Sequence, residues 1–249
     1  MTDQLTAPGS TASGGGATHT RDVLYVANTY GSDIWVLELP GHEHVRTIEV
    51  GGHPDEIKLP SDHSTLYVPR RDKDDLVAID AITGEHLWQV PLAGSPHHIT
   101  LTPDDRFIYT PIFNQTYVEI IDVVERRVVD RVEVGFGGHG SLVNADGTRV
   151  YVGTMVADQL CAIDTATHEV VHTYLFPEAV RPFDLSRDES RLYVQTSKLH
   201  GFYVLDVATG VVLDKVMLPL PPGGSPVLAL EFPHTVNHGL ALTPDGHFI

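Results

Sequence analysis

The chain has 249 residues, with 33 acidic against 16 basic side chains and a formal net charge of −17. A surface this acidic repels phosphate backbones and argues against nucleic acid as a partner, while keeping a β-rich protein soluble. No stretch approaches the roughly 18 apolar residues needed to span a bilayer, so no membrane partner is expected.

Met1–Thr20 is rich in Ser, Thr, Gly and Ala and has no apolar core of signal-peptide length. It reads as a disordered tail on a cytoplasmic protein, with residues 21–249 forming one domain. Val23–Ala27, Ile34–Leu39 and Val45–Val50 are strand-like. From Gly51 a unit of four short strands repeats: Glu56–Leu59, Thr65–Val68, Leu76–Asp80 and His86–Pro91, then His98–Leu101, Phe107–Thr110, Tyr117–Asp122 and Val128–Val134. Two more units follow, the last ending at Val211–Met217. Each strand is rich in β-branched or aromatic residues and bounded by turn residues. Tyr25, Tyr67, Tyr109, Tyr151 and Tyr193 mark the second strands, and the differences (67−25, 109−67, 151−109, 193−151) are all 42. A fixed period of this size, without helical periodicity, predicts an all-β propeller of four-stranded antiparallel blades.

Asp80, Asp122, Asp164 and Asp206 open the third-to-fourth turns, and their identical place in every repeat makes them turn formers rather than catalytic carboxylates. Cys161, the single cysteine, lies in an apolar strand and reads as a buried small hydrophobe. Trp35 and Trp88 read as packing between blades. Leu218–Val236 adds 15 residues over the repeat between an outer and an inner strand, where a loop can act as a lid.

The second strands LYVAN (Leu24–Asn28), LYVPR (Leu66–Arg70) and VYVGT (Val150–Thr154), with the turn text of Val77–Gly84 and Leu160–Thr167, resemble the YVTN-repeat β-propellers over essentially all of Val23–Ile249. That resemblance implies a ring of the seven-bladed type, of which about five blades are expected here, with the domain incomplete at its C-terminus. In the alternative, His238–Thr243 supplies a first strand to Val23–Val50 and closes five blades. An open ring is expected, with edge strands prone to association.

Twelve residues before each marker tyrosine, where the innermost strand begins, stand Asp55, His97, His139, Arg181 and, past the insertion, His238. Scaffold turns repeat as Asp or Gly, but this row varies among ionisable types, as a site grafted on a fold does. Imidazoles converging from separate strands suit Cu or Zn, so His97, His139 and His238 are candidate metal ligands. Asp55, Arg181 and His98 are candidate ligand-binding residues, Arg181 facing an anion. Neighbours on a strand face opposite ways, so His97 and His98 are expected to point apart. The function expected is a ligand- or metal-binding propeller, in its enzymatic form a metal-dependent oxidoreductase or a lactonase- or lyase-like enzyme. Its partner would be a small-molecule or protein ligand at the channel mouth. The rival is a protein-interaction scaffold whose histidines merely face water. The other histidines, with His53 and His234 as second-line candidates, are expected mostly at the solvated surface.

Overall fold

The computed structural model describes residues 22–220 and 238–249. The tail Met1–Thr20, His234 and most of Leu218–Val236 lie outside the described residues. Among the described residues there is no helix, hence none long and apolar enough to cross a membrane.

Eighteen strands form five antiparallel sheets in chain order. The first holds β1 (Val23–Asn28), β2 (Asp33–Glu38) and β3 (Glu43–Glu49), and the second β4 (Thr65–Arg70), β5 (Asp75–Asp80) and β6 (His86–Pro91). The third has four strands, β7 (Thr100–Leu101), β8 (Phe107–Pro111), β9 (Tyr117–Asp122) and β10 (Arg127–Glu133). The fourth runs β11 (Gly138–Val143), β12 (Arg149–Thr154), β13 (Gln159–Asp164) and β14 (Glu169–Leu175). The fifth is β15 (Val180–Leu185), β16 (Arg191–Thr196), β17 (Gly201–Asp206) and β18 (Val212–Met217). The marker tyrosines superpose in register, each opposite the residue eleven positions on: Tyr25↔Val36, Tyr67↔Ala78, Tyr109↔Ile120, Tyr151↔Ala162 and Tyr193↔Val204.

The cores lie between sheets. Leu66 and Val68 pack with Ile34 and Ile48 of the first sheet, while Tyr67 between them packs with Ile108 and Ile121 of the third. The same alternation sends Val150 and Val152 back to the third sheet and Tyr151 forward to the fifth. Both faces of each inner strand are therefore buried, which is why these strands read as nearly continuous apolar runs. A Cβ on Gly153 would come within 2.7 Å of Val180 Cγ1, so that glycine lets the fourth and fifth sheets close on each other.

The repeated aspartates are turn formers: Asp80 accepts the N–H groups of Ile82 and Thr83, Asp122 those of Val124 and Glu125, and Asp164 those of Ala166 and Thr167. Cys161 is buried in the core between the third and fourth sheets, and burial raises its thiol pKa. Trp88 packs on Tyr67 as expected, but Trp35 lies on the outside of the first sheet, 46% exposed against His44. The second sheet also departs from expectation. Glu56–Leu59 makes only the isolated bridge Lys58↔Tyr67, beside Pro54↔Arg70. Pro54 and Pro60 flank this run and cannot donate to a ladder.

Residues 238–249 do not close the ring on β1. They lie against the fifth sheet, where Gln195 Nε2 donates to Gly239 O (3.0 Å) and Leu242 N–H to Asp184 Oδ2 (2.7 Å). Their turn copies that of the third sheet: Thr243 N–H donates to Phe248 O at 2.9 Å, as Thr102 N–H does to Phe107 O. Among the described residues this segment pairs with no strand of the first sheet, so the closure through His238–Thr243 is not seen there.

Candidate functional site

The start of the innermost run has one geometry in four successive blades. A first pair, Pro54↔Arg70, Pro96↔Ile112, Gly138↔Thr154 and Val180↔Thr196, is followed by residues outside the ladder before pairing resumes one register further on. Those residues begin with Asp55-Glu56, His97-His98, His139-Gly140 and Arg181-Pro182. The candidate row thus lies on a repeated β-bulge, a device that re-aims side chains near functional sites.

The bulge corrects the expectation for His97 and His98. Both line one cavity of about 660 Å³, with ring centroids 5.1 Å and 4.8 Å from that of His139. Strict up-and-down alternation needs a regular strand, and β7 begins only at Thr100. The cavity also takes Asp55, Arg181 and His238, whose ring centroid is 6.1 Å from that of His139. All six candidate residues therefore meet at one opening.

Two carboxylate–imidazole contacts bridge the second and third blades. Asp55 Oδ2 lies 3.0 Å from His97 Nδ1, close enough for ionic attraction but out of line for a straight hydrogen bond. Glu56 Oε2 lies 3.3 Å from His98 Nδ1 and accepts the Ile99 N–H at 2.7 Å. Burial works to raise both carboxyl groups, yet both are held below the usual range, Asp55 by His97 and Arg71 and Glu56 by His98 and Lys58. His139 is buried (8% exposed), and that burial, followed by the charges of His98, His97 and Arg181, depresses its pKa to about 2. It is a neutral imidazole at any physiological pH. His238 is lowered too, by burial and then by Arg181. Arg181 is itself buried; its Nε donates to Ser197 Oγ (3.0 Å) and its Nη1 to Met155 Sδ (3.3 Å).

Three further lining residues, Arg71, Phe113 and Met155, together with Ser197, which bonds Arg181, lie four positions after the marker tyrosines, and their differences (113−71, 155−113, 197−155) are again 42. Each follows the second strand of its blade; Arg71, Phe113 and Ser197 touch the bulge residue of the same blade, and Met155 touches Arg181 of the next. Arg71 Nη1 lies 3.6 Å from Asp55, the Phe113 ring 4.9 Å from that of His97, and Ser197 holds Arg181. The repeat arithmetic that found the first row contains this second one, but Arg, Phe, Met and Ser share no chemistry that would single them out. Ser95 completes the lining.

His53 and the remaining described histidines lie outside the cavity lining. They are not uniformly solvated: His168 pairs with Asp130 (2.8 Å), His172 packs on Tyr174, and His200 Nε2 is buried. No three His, Cys, Asp or Glu side chains among the described residues stand together as a ready metal-ligand set.

Successive antiparallel sheets of three or four strands, inter-sheet cores and a polar opening at the inner strand starts define a β-propeller. The sequence profile of the YNCE-like β-propellers matches residues 33–232, and the chain belongs to that family. No curated relative matches the sequence. Among solved structures, the chain is similar to Kuenenia stuttgartiensis hydrazine synthase, with TM-score 0.75 and 17% identity over 90% of this chain and 68% of that one. It is also similar to the dihydro-heme d1 dehydrogenase NirN in complex with DHE, with TM-score 0.65 and 19% identity over 79% of this chain. The match spans 45% of that second protein. At these identities the likeness is one of fold.

Proposed function

We propose that this protein is a ligand-binding β-propeller whose opening takes a small organic anion. The observation that carries this reading is the charge of the lining: among the described residues, two guanidinium groups, Arg71 and Arg181, stand against one carboxylate, Asp55, in a chain of net charge −17. A cavity cationic within an acidic protein focuses anions toward itself. In the enzymatic form, Arg71 and Arg181 orient an anionic substrate and the Asp55–His97 contact supplies acid–base chemistry of the lactonase or lyase kind. The seven-bladed, YVTN-type ring belongs to this proposal and is supported by LYVAN, LYVPR and VYVGT.

Cu or Zn held by His97, His139 and His238 is the second form of the proposal. It is supported by the buried neutral imidazole of His139, the state in which imidazole ligates. Binding would require the three rings, now 5.1 and 6.1 Å apart at their centroids, to turn their nitrogens to one point.

Thermal unfolding in rising concentrations of acetate, propionate and phosphate, at fixed ionic strength, tests the reading. Saturable stabilisation is expected, about 2.7 kcal/mol at a hundredfold excess over Kd, and its loss in Arg181→Gln. Equal shifts in chloride and in all three anions would overturn it. Metal analysis of tag-free protein tests the second form, with a stoichiometric transition metal expected to disappear in His139→Ala.

A further inference from the structure

We infer that Glu56 is a positioning residue, which holds His98 with Nδ1–H toward its carboxylate and the Nε2 lone pair toward the opening. The anion that fits is then a hydroxycarboxylate, its hydroxyl donating to that nitrogen. The inference rests on the anion-binding reading above and specifies its ligand class.

Asp55-Glu56 and His97-His98 are the same two positions one repeat apart (97−55 = 42, 98−56 = 42), so two carboxylates meet two imidazoles in matching order. The Glu56 carboxylate is fixed at both oxygens. Oε1 takes Lys58 Nζ at 2.8 Å, and Oε2 accepts the Ile99 N–H at 2.7 Å. Oε2 also stands 3.3 Å from His98 Nδ1, and an ionised carboxylate beside a ring nitrogen favours the tautomer with its proton on that nitrogen. The other nitrogen, Nε2, then carries the lone pair. His98 Nε2 makes no hydrogen bond among the described residues, yet it is not shut away from solvent as His97 Nδ1 is. His98 lines the cavity, so this acceptor meets the water of the opening. A ligand that displaces that water without bringing a donor forfeits a hydrogen bond, and the site therefore selects a hydroxyl-bearing acid over its deoxy analogue.

Long-range ¹H–¹⁵N correlation spectra of the full chain, taken about two units above the ordinary imidazole pKa, read the tautomer without any ligand. His98 should show a protonated Nδ1 and a bare Nε2. Glu56→Gln should move the proton toward Nε2, whereas Lys58→Gln, which removes another partner of the same carboxylate, should not. Isothermal titration with lactate against propionate, and with 3-hydroxybutyrate against butyrate, reads the ligand class. At least one hydroxy acid should bind about tenfold more tightly than its deoxy analogue, and that ratio should fall toward one in His98→Phe. Circular dichroism and melting confirm that each variant folds. A proton on Nε2 in the wild type, or an unchanged tautomer in Glu56→Gln, would overturn the positioning role. Equal binding of each hydroxy acid and its analogue would overturn the ligand class and leave the anion reading standing. Absence of saturable binding by all four acids would overturn both the ligand class and the anion reading.

Discussion

Asp55 on the second blade and His97 on the third meet across the blade boundary, Oδ2 to Nδ1 at 3.0 Å, and they occupy the same place in successive repeats (97−55 = 42). Copies of one scaffold position have diverged into opposite partners. The contact puts a carboxylate beside Arg71 as well, 3.6 Å away, so Asp55 offsets part of the positive charge of the lining.

That placement predicts the sign of one substitution. Asp55→Asn removes the one carboxylate that the described residues bring to the lining and keeps its shape, so anion affinity should rise by about three- to tenfold near neutral pH. Titration calorimetry at low salt measures it. Weaker binding would mean that Asp55 itself holds the ligand.

Acid stability should depend on His139. Its ordinary pKa of 6.5 falls to about 2 in the folded chain, so below pH 6.5 the unfolded chain takes up a proton that the folded chain refuses. Stability therefore falls as pH falls through this window, by about 1.4 kcal/mol per unit, or about 2–3 kcal/mol by pH 4.5. Asp55 and Glu56, both held below their ordinary values, contribute stability that is present above about pH 4 and lost only further down. Melting curves between pH 7 and 4.5 should thus slope steeply in the wild type and less in His139→Gln. Parallel slopes would contradict the burial of a neutral imidazole.

Arg70 and Asp75 form a buried pair between the first and second blades, with bonds of 2.8 and 2.6 Å, and Arg70 also donates to Val50 O. Arg70→Ala strands the Asp75 carboxylate in a buried site, so denaturant unfolding should show a loss of about 3–5 kcal/mol. A loss under about 1 kcal/mol would mean that water reaches Asp75.

How much of this was legible in the sequence follows from the physics of repeats. Tyr25 to Tyr193 fixed blade, strand and register, because identical positions in a propeller see identical surroundings. The row Asp55, His97, His139, Arg181 and His238 was legible for the same reason. The side-chain directions were not. Alternation holds on a regular strand, and His97-His98 stands on a bulge that spacing alone does not reveal. Nor could spacing separate a metal triad from a carboxylate–imidazole arrangement, because that depends on which atom each ring nitrogen faces. The second row, Arg71 to Ser197, was hidden by its mixed chemistry. Trp35 was misplaced because an aromatic residue on the second strand of the opening sheet has no preceding blade to pack on among the described residues.

The proposed site takes its anion at this one opening. Imidazole ¹H–¹⁵N correlation spectra of the full chain, recorded during titration with succinate, test it most directly. Saturable shifts with a common Kd are expected for the rings of His97, His98, His139 and His238, while His63 and His86 stay put. Uniform drift of all the histidines, or no shift at those four, would contradict it.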